Sequence, residues 1–312
     1  MDFTKVKEMR ENLSKVLLDK GETVDDILVA LLAKGHVLLE DVPGVGKTVL
    51  VKGLSKLLGC TFKRIQFTPD LLPSDITGIS IYNQKTGEFE YKKGPIMANI
   101  ILADEINRTS PKTQSSLLEG MEEGQVTIDG ETYPLPEPFL VFATQNPIEY
   151  EGTYSLPEAQ LDRFLMKCQI GYPSFLGERE ILLSQMDGTH PLDKLEKILD
   201  IEELIELQQK VTEVKVSEPI LNYILEIVRS TRTHPSVYLG SSPRGALALT
   251  KGAKAKAFIN EREYVIPDDV KELAVKVLAH RIIVKPEDVM QGVTGEKVIE
   301  EILKGVEVPI GR

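Results

Sequence analysis

The chain has 312 residues, with 37 Lys and Arg against 48 Asp and Glu for a formal charge of −11, and is 42% apolar and 27% charged. That is a soluble globular profile, long enough for two domains at about 100–200 residues each. No apolar run nears the roughly 18 residues of a membrane helix, Cys60 and Cys168 are too few for a disulfide framework, and the four histidines lack metal-ligand spacing.

In chain order, MDFTKVKEMREN holds no apolar export core, so a cytoplasmic location is expected. Val6, Met9, Leu13, Val16 and Leu17 predict a helix over 5–19 with Gly21 as its stop. A second helix fits 24–34, capped by Thr23 and ended by Gly35. HVLLE (36–40) then reads as a buried strand, followed by a glycine-rich turn and a helix over 47–58. TFKRIQF (61–67) suits an edge strand, while IILAD (100–104), FLVFAT (139–144) and FLMKCQI (164–170) suit buried parallel strands. Ser110, Pro111 and Gly124 bracket a helix over 110–124. Hairpins are predicted for 79–91 around Gly87 and for 126–133 around Asp129-Gly130. Beyond Pro173 only helices are predicted, at 177–187, 200–213, 218–232, 243–260 and 267–281. The expected organisation is an α/β domain over 1–173 and a helical domain over 174–312.

The sharpest chemical signal is HVLLEDVPGVGKT (36–48). A loop that wraps phosphates must aim several N–H groups at one anion, which favours Gly44 and Gly46, and a helix starting at Lys47 adds its own unpaired N–H groups. Lys47 is placed to reach the β- and γ-phosphates and Thr48 to ligate magnesium. The pattern G-x-x-x-x-G-K-[ST] wants glycine at 41, where this chain has Asp41. IILADE (100–105) delivers Asp104 and Glu105 to the carboxyl edge of a parallel sheet. Asp104 is read as holding magnesium through water and Glu105 as orienting the attacking water. A strand ending in two solvated acids is the plain alternative, and the upstream loop favours the functional reading. FLVFATQNP (139–147) presents Gln145 and Asn146, though Asn-Pro alone is a turn signal. LPEAQLDRF (156–164) carries Arg163; Arg108, Arg179, Arg232 and Arg244 are further cations, and most surface arginines are merely solvated.

The order GKT, LADE, TQNP, LDRF and GSSPRG (240–245) resembles an AAA+ ATPase, and more closely the MoxR family, over about residues 35–290. The stretch 94–164 is the most specific part. The resemblance implies an α/β P-loop fold: an αβα sandwich with a five-stranded parallel sheet in the order 5-1-4-3-2, then an all-helical lid. It further implies ATP and Mg2+ as cofactors, a homo-oligomeric ring (usually a hexamer) and nucleotide at subunit interfaces. By motif, Pro43, Gly44, Val45, Gly46, Lys47, Thr48 and Val49 form the nucleotide loop, and Thr48 and Asp104 hold the metal. Glu105, Asn146, Arg163 and Arg244 match the catalytic glutamate, sensor 1, arginine finger and sensor 2. The two hairpins resemble pore-facing insertions, or are simple hairpins stabilised by Tyr82, Phe89 and Tyr91. The implied partner is a von Willebrand factor A protein carrying a metal-ion-dependent adhesion site, and the implied work is chaperone-like remodelling.

Three positions depart from the family pattern: Asp41, LLDKGE (17–22) in the adenine-seating region, and Gly245 where alanine is usual. The alternatives are a magnesium-chelatase-like motor subunit and an AAA+ motor on nucleic acid. The second lacks a basic-aromatic stripe and is disfavoured by the acidic balance. A GTP switch rests only on Asp75-Ile-Thr-Gly78, with no guanine-reading segment, and is set aside. Cys60 and Cys168 read as buried thiols, and His36 and His280 as structural.

Overall fold

The apolar runs that lack a helical period assemble into one sheet in the computed structural model, which describes residues 3–146, 153–186 and 191–309. Its strands are β1 (His36–Glu40), β2 (Phe62–Gln66), β5 (Ile100–Asp104), β8 (Leu140–Gln145) and β9 (Phe164–Cys168). Two hairpins intervene in chain order, β3 (Gly78–Asn83) with β4 (Glu88–Lys93) and β6 (Gln125–Ile128) with β7 (Glu131–Pro134). The sheet order is β2-β5-β8-β1-β9 with every pair parallel. Counted along the core strands alone, this is the expected 5-1-4-3-2 arrangement.

The strands read as unbroken apolar runs because both faces are covered. Val37, Leu39, Ile100, Leu102, Leu140 and Phe142 face one core, and Leu38, Ile101, Ala103, Val141 and Ala143 face the other. The first core is filled by α1 (Thr4–Val16), α2 (Gly21–Leu32) and α3 (Lys47–Leu57). The second takes α4 (Pro73–Thr77) and α5 (Pro111–Glu123). The short α6 (Glu158–Leu161) leads into β9. After β9 come α7 (Phe175–Met186), α8 (Ile201–Thr212), α9 (Glu218–Thr233), α10 (Pro243–Ile259), α11 (Pro267–Leu278), α12 (Pro286–Val289) and α13 (Gly295–Gly305). The first core runs without a break into α8–α11 and α13. Ten of the twelve α2 residues are buried because that helix lies between the sheet and the later helices.

Local chemistry accounts for the element ends. Ser110 Oγ accepts from Thr113 N at the start of α5, and Gly124 closes it at φ +64°. Asp129 and Gly130, at φ +50° and +86°, make the tight turn between β6 and β7. Tyr82 and Phe89 pair across the first hairpin with ring centroids 5.3 Å apart. Tyr91 and Tyr133, 4.3 Å apart, join that hairpin to the second.

Three expectations are corrected. Gly21 opens α2 instead of stopping α1, the reversal being made by Asp19 at φ +58°. Thr23 accordingly lies inside α2 and caps nothing, its hydroxyl donating to Gln169 O at 3.4 Å. The carboxyl-terminal half is not purely helical, since β10 (Val237–Leu239) and β11 (Ile283–Val284) pair antiparallel. Strands of three and two residues are too short to show a period in sequence. No helix among the described residues is long and apolar enough to cross a membrane.

Candidate active site

β1 carries the chain to the carboxyl edge of the sheet, where 41–46 must turn back into α3. Gly44 and Gly46 make this turn at φ +89° and +96°, conformations that a Cβ resists. Gly46 is the N-cap of α3, so the unpaired N–H groups of its first turn point into the turn. Lys47 Nζ donates to Asp41 O at 2.9 Å. Burial pushes the Lys47 ammonium below its ordinary pKa, opposed by the carboxylates of Asp104, Asp41 and Glu105.

Asp41 has a clear structural reason. Its buried carboxylate accepts from Ile170 N at 2.5 Å and Gly171 N at 3.0 Å, tying the loop to the segment after β9. A glycine there would leave both donors without that acceptor. Gly245 is also accounted for: a Cβ would stand 2.1 Å from Ser241 Oγ and 3.1 Å from Leu278 Cδ2.

β5 brings Asp104 to the same edge, and Glu105 follows at φ +57°. The Thr144 hydroxyl, one strand over on β8, donates to Asp104 Oδ1 at 2.7 Å and accepts from Glu105 N at 2.8 Å. Arg64 donates to Asp104 Oδ2 from Nη2 at 2.5 Å and from Nε at 3.1 Å. The Gln66 amide donates to Glu105 Oε2 at 2.7 Å, and Arg108 Nη1 to the same oxygen at 3.2 Å.

A cleft of about 350 Å³ gathers Pro43, Gly44, Gly46, Lys47, Thr48, Val49, Asp104, Glu105 and Asn146 with Arg64, Gln66 and Thr144. Val45 faces away, into an adjoining cavity of about 690 Å³ whose walls include Leu17, Leu18, Ile170 and Gly171. Asn146 is buried at the exit of β8. Pro147 and the IEYEG run after it lie outside the described residues. The metal expectation fits the donor chemistry. Thr48 and Asp104 share the cleft and offer only oxygen, and no cluster of three or more His, Cys, Asp or Glu among the described residues could hold a metal unaided. Such a site leaves most ligand positions to phosphate oxygens and water, the usual magnesium arrangement.

Arg64, Gln66 and Thr144 were missed by the sequence reading. Arg64 and Gln66 alternate on the edge strand, a visible signal, but only the β2–β5 register puts Gln66 opposite Asp104.

Arg163 and Arg244 line no part of this cleft. Arg163 Nη2 lies 3.0 Å from Glu122 Oε2 and Arg244 Nη2 lies 2.6 Å from Glu122 Oε1, so both guanidinium groups meet one carboxylate of α5. Phe164, just after Arg163, pairs with His36 at the opposite end of β1 from the loop. Four strand rises separate His36 from Glu40, so the two edges are roughly 13 Å apart. His36 is buried there, and burial lowers its pKa to about 4. Burial pushes the half-buried Cys60 thiol up to about 11 and raises the buried Cys168 thiol too, so neither is a thiolate near neutral pH.

The family model described as "ATPase family associated with various cellular activities (AAA)" matches residues 36–166, and the "AAA lid domain" model matches 229–302. The Bacillus subtilis protein named "uncharacterized protein YeaC" is 58% identical over 97% of this chain and 94% of its own length. Chaperone MoxR1 of Mycobacterium tuberculosis is 44% identical over 95% of this chain and 80% of its own length. Protein MoxR of Paracoccus denitrificans is 31% identical over 88% and 87%. The crystal structure of a candidate ATPase from Cytophaga hutchinsonii matches with a TM-score of 0.91 at 44% identity, covering 99% of this chain and 96% of that one.

Proposed function

The chain belongs to the MoxR family of AAA+ ATPases and is an ATP hydrolase; from this we propose that it turns over ATP at sites shared between the subunits of a ring, the two halves of each site lying on different molecules.

 

Each site, on this reading, joins the cleft of one copy to Arg163 and Arg244 of the next. One observation supports it: both arginines gather on Glu122 at the sheet edge opposite the cleft, which leaves the cleft of one chain without either of them. The proposed units are a nucleotide-binding core over 1–173 and a lid over 174–312.

In the cleft, the N–H groups of 44–49 cradle the phosphates and Lys47 neutralises the β- and γ-groups. Thr48 and Asp104 would hold Mg2+, which when bound would offset charge on the phosphate oxygens. Glu105 orients the attacking water and Asn146 holds it or a γ-phosphate oxygen, while Gln66 and Thr144 restrict the glutamate's position. The adjoining cavity, walled by Leu17, Leu18, Val45 and Ile170, suits the adenine. Arginines arriving from a neighbour stabilise the transferring phosphoryl group, an effect worth about 10³–10⁵ in turnover where measured in other systems. The work done is proposed to be remodelling or maturation of partner proteins in a hexamer, with a von Willebrand factor A protein as client. The exposed Tyr82 and Phe89 of the first hairpin support a contact of that kind.

The test is magnesium-dependent ATP turnover per subunit across protein concentrations, with Arg163→Ala measured alone and mixed with Lys47→Ala. We expect the rate per subunit to climb with concentration. Arg163→Ala should bind ATP yet turn over slowly, and the mixture should recover activity that neither variant has. A mixture no faster than its parts would exclude a shared site.

A further inference from the structure

We propose that Arg281, acting through Asp162 and Ser242, is a positioning residue that holds Arg163 and Arg244 ready for the neighbouring subunit's nucleotide. The inference rests on the shared-site reading above and adds to it the device that aims the two arginines.

Arg281 follows α11 and is almost wholly buried, its side chain 3% exposed. Its guanidinium closes around the peptide that carries Arg163. Nε donates to Asp162 Oδ1 at 2.8 Å, Nη2 to Asp162 O at 3.2 Å and Phe164 O at 2.6 Å, and Nη1 to Leu165 O at 3.1 Å. Nη1 also donates to Val277 O, which anchors the group to its own helix. The residue before Arg163 and the two after it are thus gripped, while the Arg163 side chain, partly buried, is left to reach Glu122.

The other Asp162 oxygen reaches the second arginine. Ser242 Oγ donates to Asp162 Oδ2 at 3.1 Å and accepts from Arg244 N at 3.1 Å as the N-cap of α10. One carboxylate therefore joins the backbone of Arg163 to the helix start that bears Arg244. The two tips then converge on Glu122.

The physical need is plain. An arginine that must meet a phosphate on another molecule gains from a fixed backbone, because a misplacement of about 1 Å can cost on the order of 100-fold in rate. A rigid five-donor fork suits that task better than a lysine, whose single ammonium cannot span five carbonyl and carboxylate acceptors.

The experiment uses Arg281→Lys and Asp162→Asn in the full chain, each alone and mixed with Lys47→Ala, whose arginines are intact and whose loop is disabled. Alone, each should lose about 10- to 100-fold in turnover while direct ATP binding is unchanged. In the mixture, the intact arginines of the Lys47→Ala copies should serve the variant's own cleft and restore turnover. A purely structural role in the chain's stability would not respond to a neighbour in this way. Ser242→Ala, which removes one hydroxyl and leaves Arg281 in place, extends the test if either variant fails to fold, and it should show a smaller loss with the same rescue. Normal turnover by all three overturns the proposal. So does failure of the mixtures while Arg163→Ala is rescued under the same conditions, and in that case the shared-site reading stands. Failure to rescue Arg163→Ala itself removes the shared site, and the positioning role with it.

Discussion

At the carboxyl edge of the sheet, the Thr144 hydroxyl serves two partners at once, Asp104 Oδ1 and the Glu105 N–H. Thr144→Val keeps the shape and removes both bonds, leaving a part-buried N–H unmatched at a cost of about 1–3 kcal/mol. We expect lower turnover with ATP binding largely retained, checked by steady-state kinetics beside direct binding. Lys47→Ala should abolish nucleotide binding in a calorimetric titration; unchanged affinity would sink the phosphate-loop assignment. Glu105→Gln keeps the size of the side chain and should bind ATP but trap it, so normal turnover would remove Glu105 as the water-orienting group. At this scale Lys47, Thr48, Asp104 and Glu105 were legible because their chemistry needs residues near one another in sequence. Thr144, Arg64 and Gln66 were not, because threonine on a buried strand and polar residues on an edge strand are ordinary until register sets them against Asp104 and Glu105.

Elements are joined by polar groups as well as by the two apolar cores. His36 opens β1, where Nδ1 accepts from Val141 N of β8 at 3.0 Å and Nε2 donates to Met121 O of α5 at 3.1 Å. This pairing needs the neutral ring, and burial holds its pKa at about 4 against an ordinary 6.5. Between those values the unfolded chain binds a proton that the folded chain refuses. Stability is therefore complete above pH 6.5 and falls as the pH drops toward 4, by up to about 3 kcal/mol. Buried His280, whose pKa is also lowered, acts in the same direction. Urea denaturation at pH 7 and pH 5 should show this loss, and His36→Asn should reduce the slope by its own share; an unchanged slope would exclude His36 as a source. The helix ends show which local signals were readable. Ser110 and Gly124 bound α5 as their types suggest, whereas Gly21 did not stop α1, because a glycine marks a break without saying on which side the helix lies.

For the whole molecule, the decisive relation is between two sheet edges. The nucleotide loop and the acidic pair lie at one, and Arg163, Arg244 and Glu122 at the other. The recovery of activity in mixed Arg163→Ala and Lys47→Ala samples tests that relation directly. The sequence by itself determined the parallel sheet, its order through the family resemblance, the phosphate loop and the acidic pair, since these depend on periodicity and on residues close along the chain. Only the tertiary structure decided that Asp41 ties the loop to Ile170 and Gly171, that Arg281 grips the segment around Arg163, and that both arginines share Glu122. Those contacts join residues up to more than a hundred positions apart, and their geometry depends on strand register and helix packing, which no local pattern of residue types encodes.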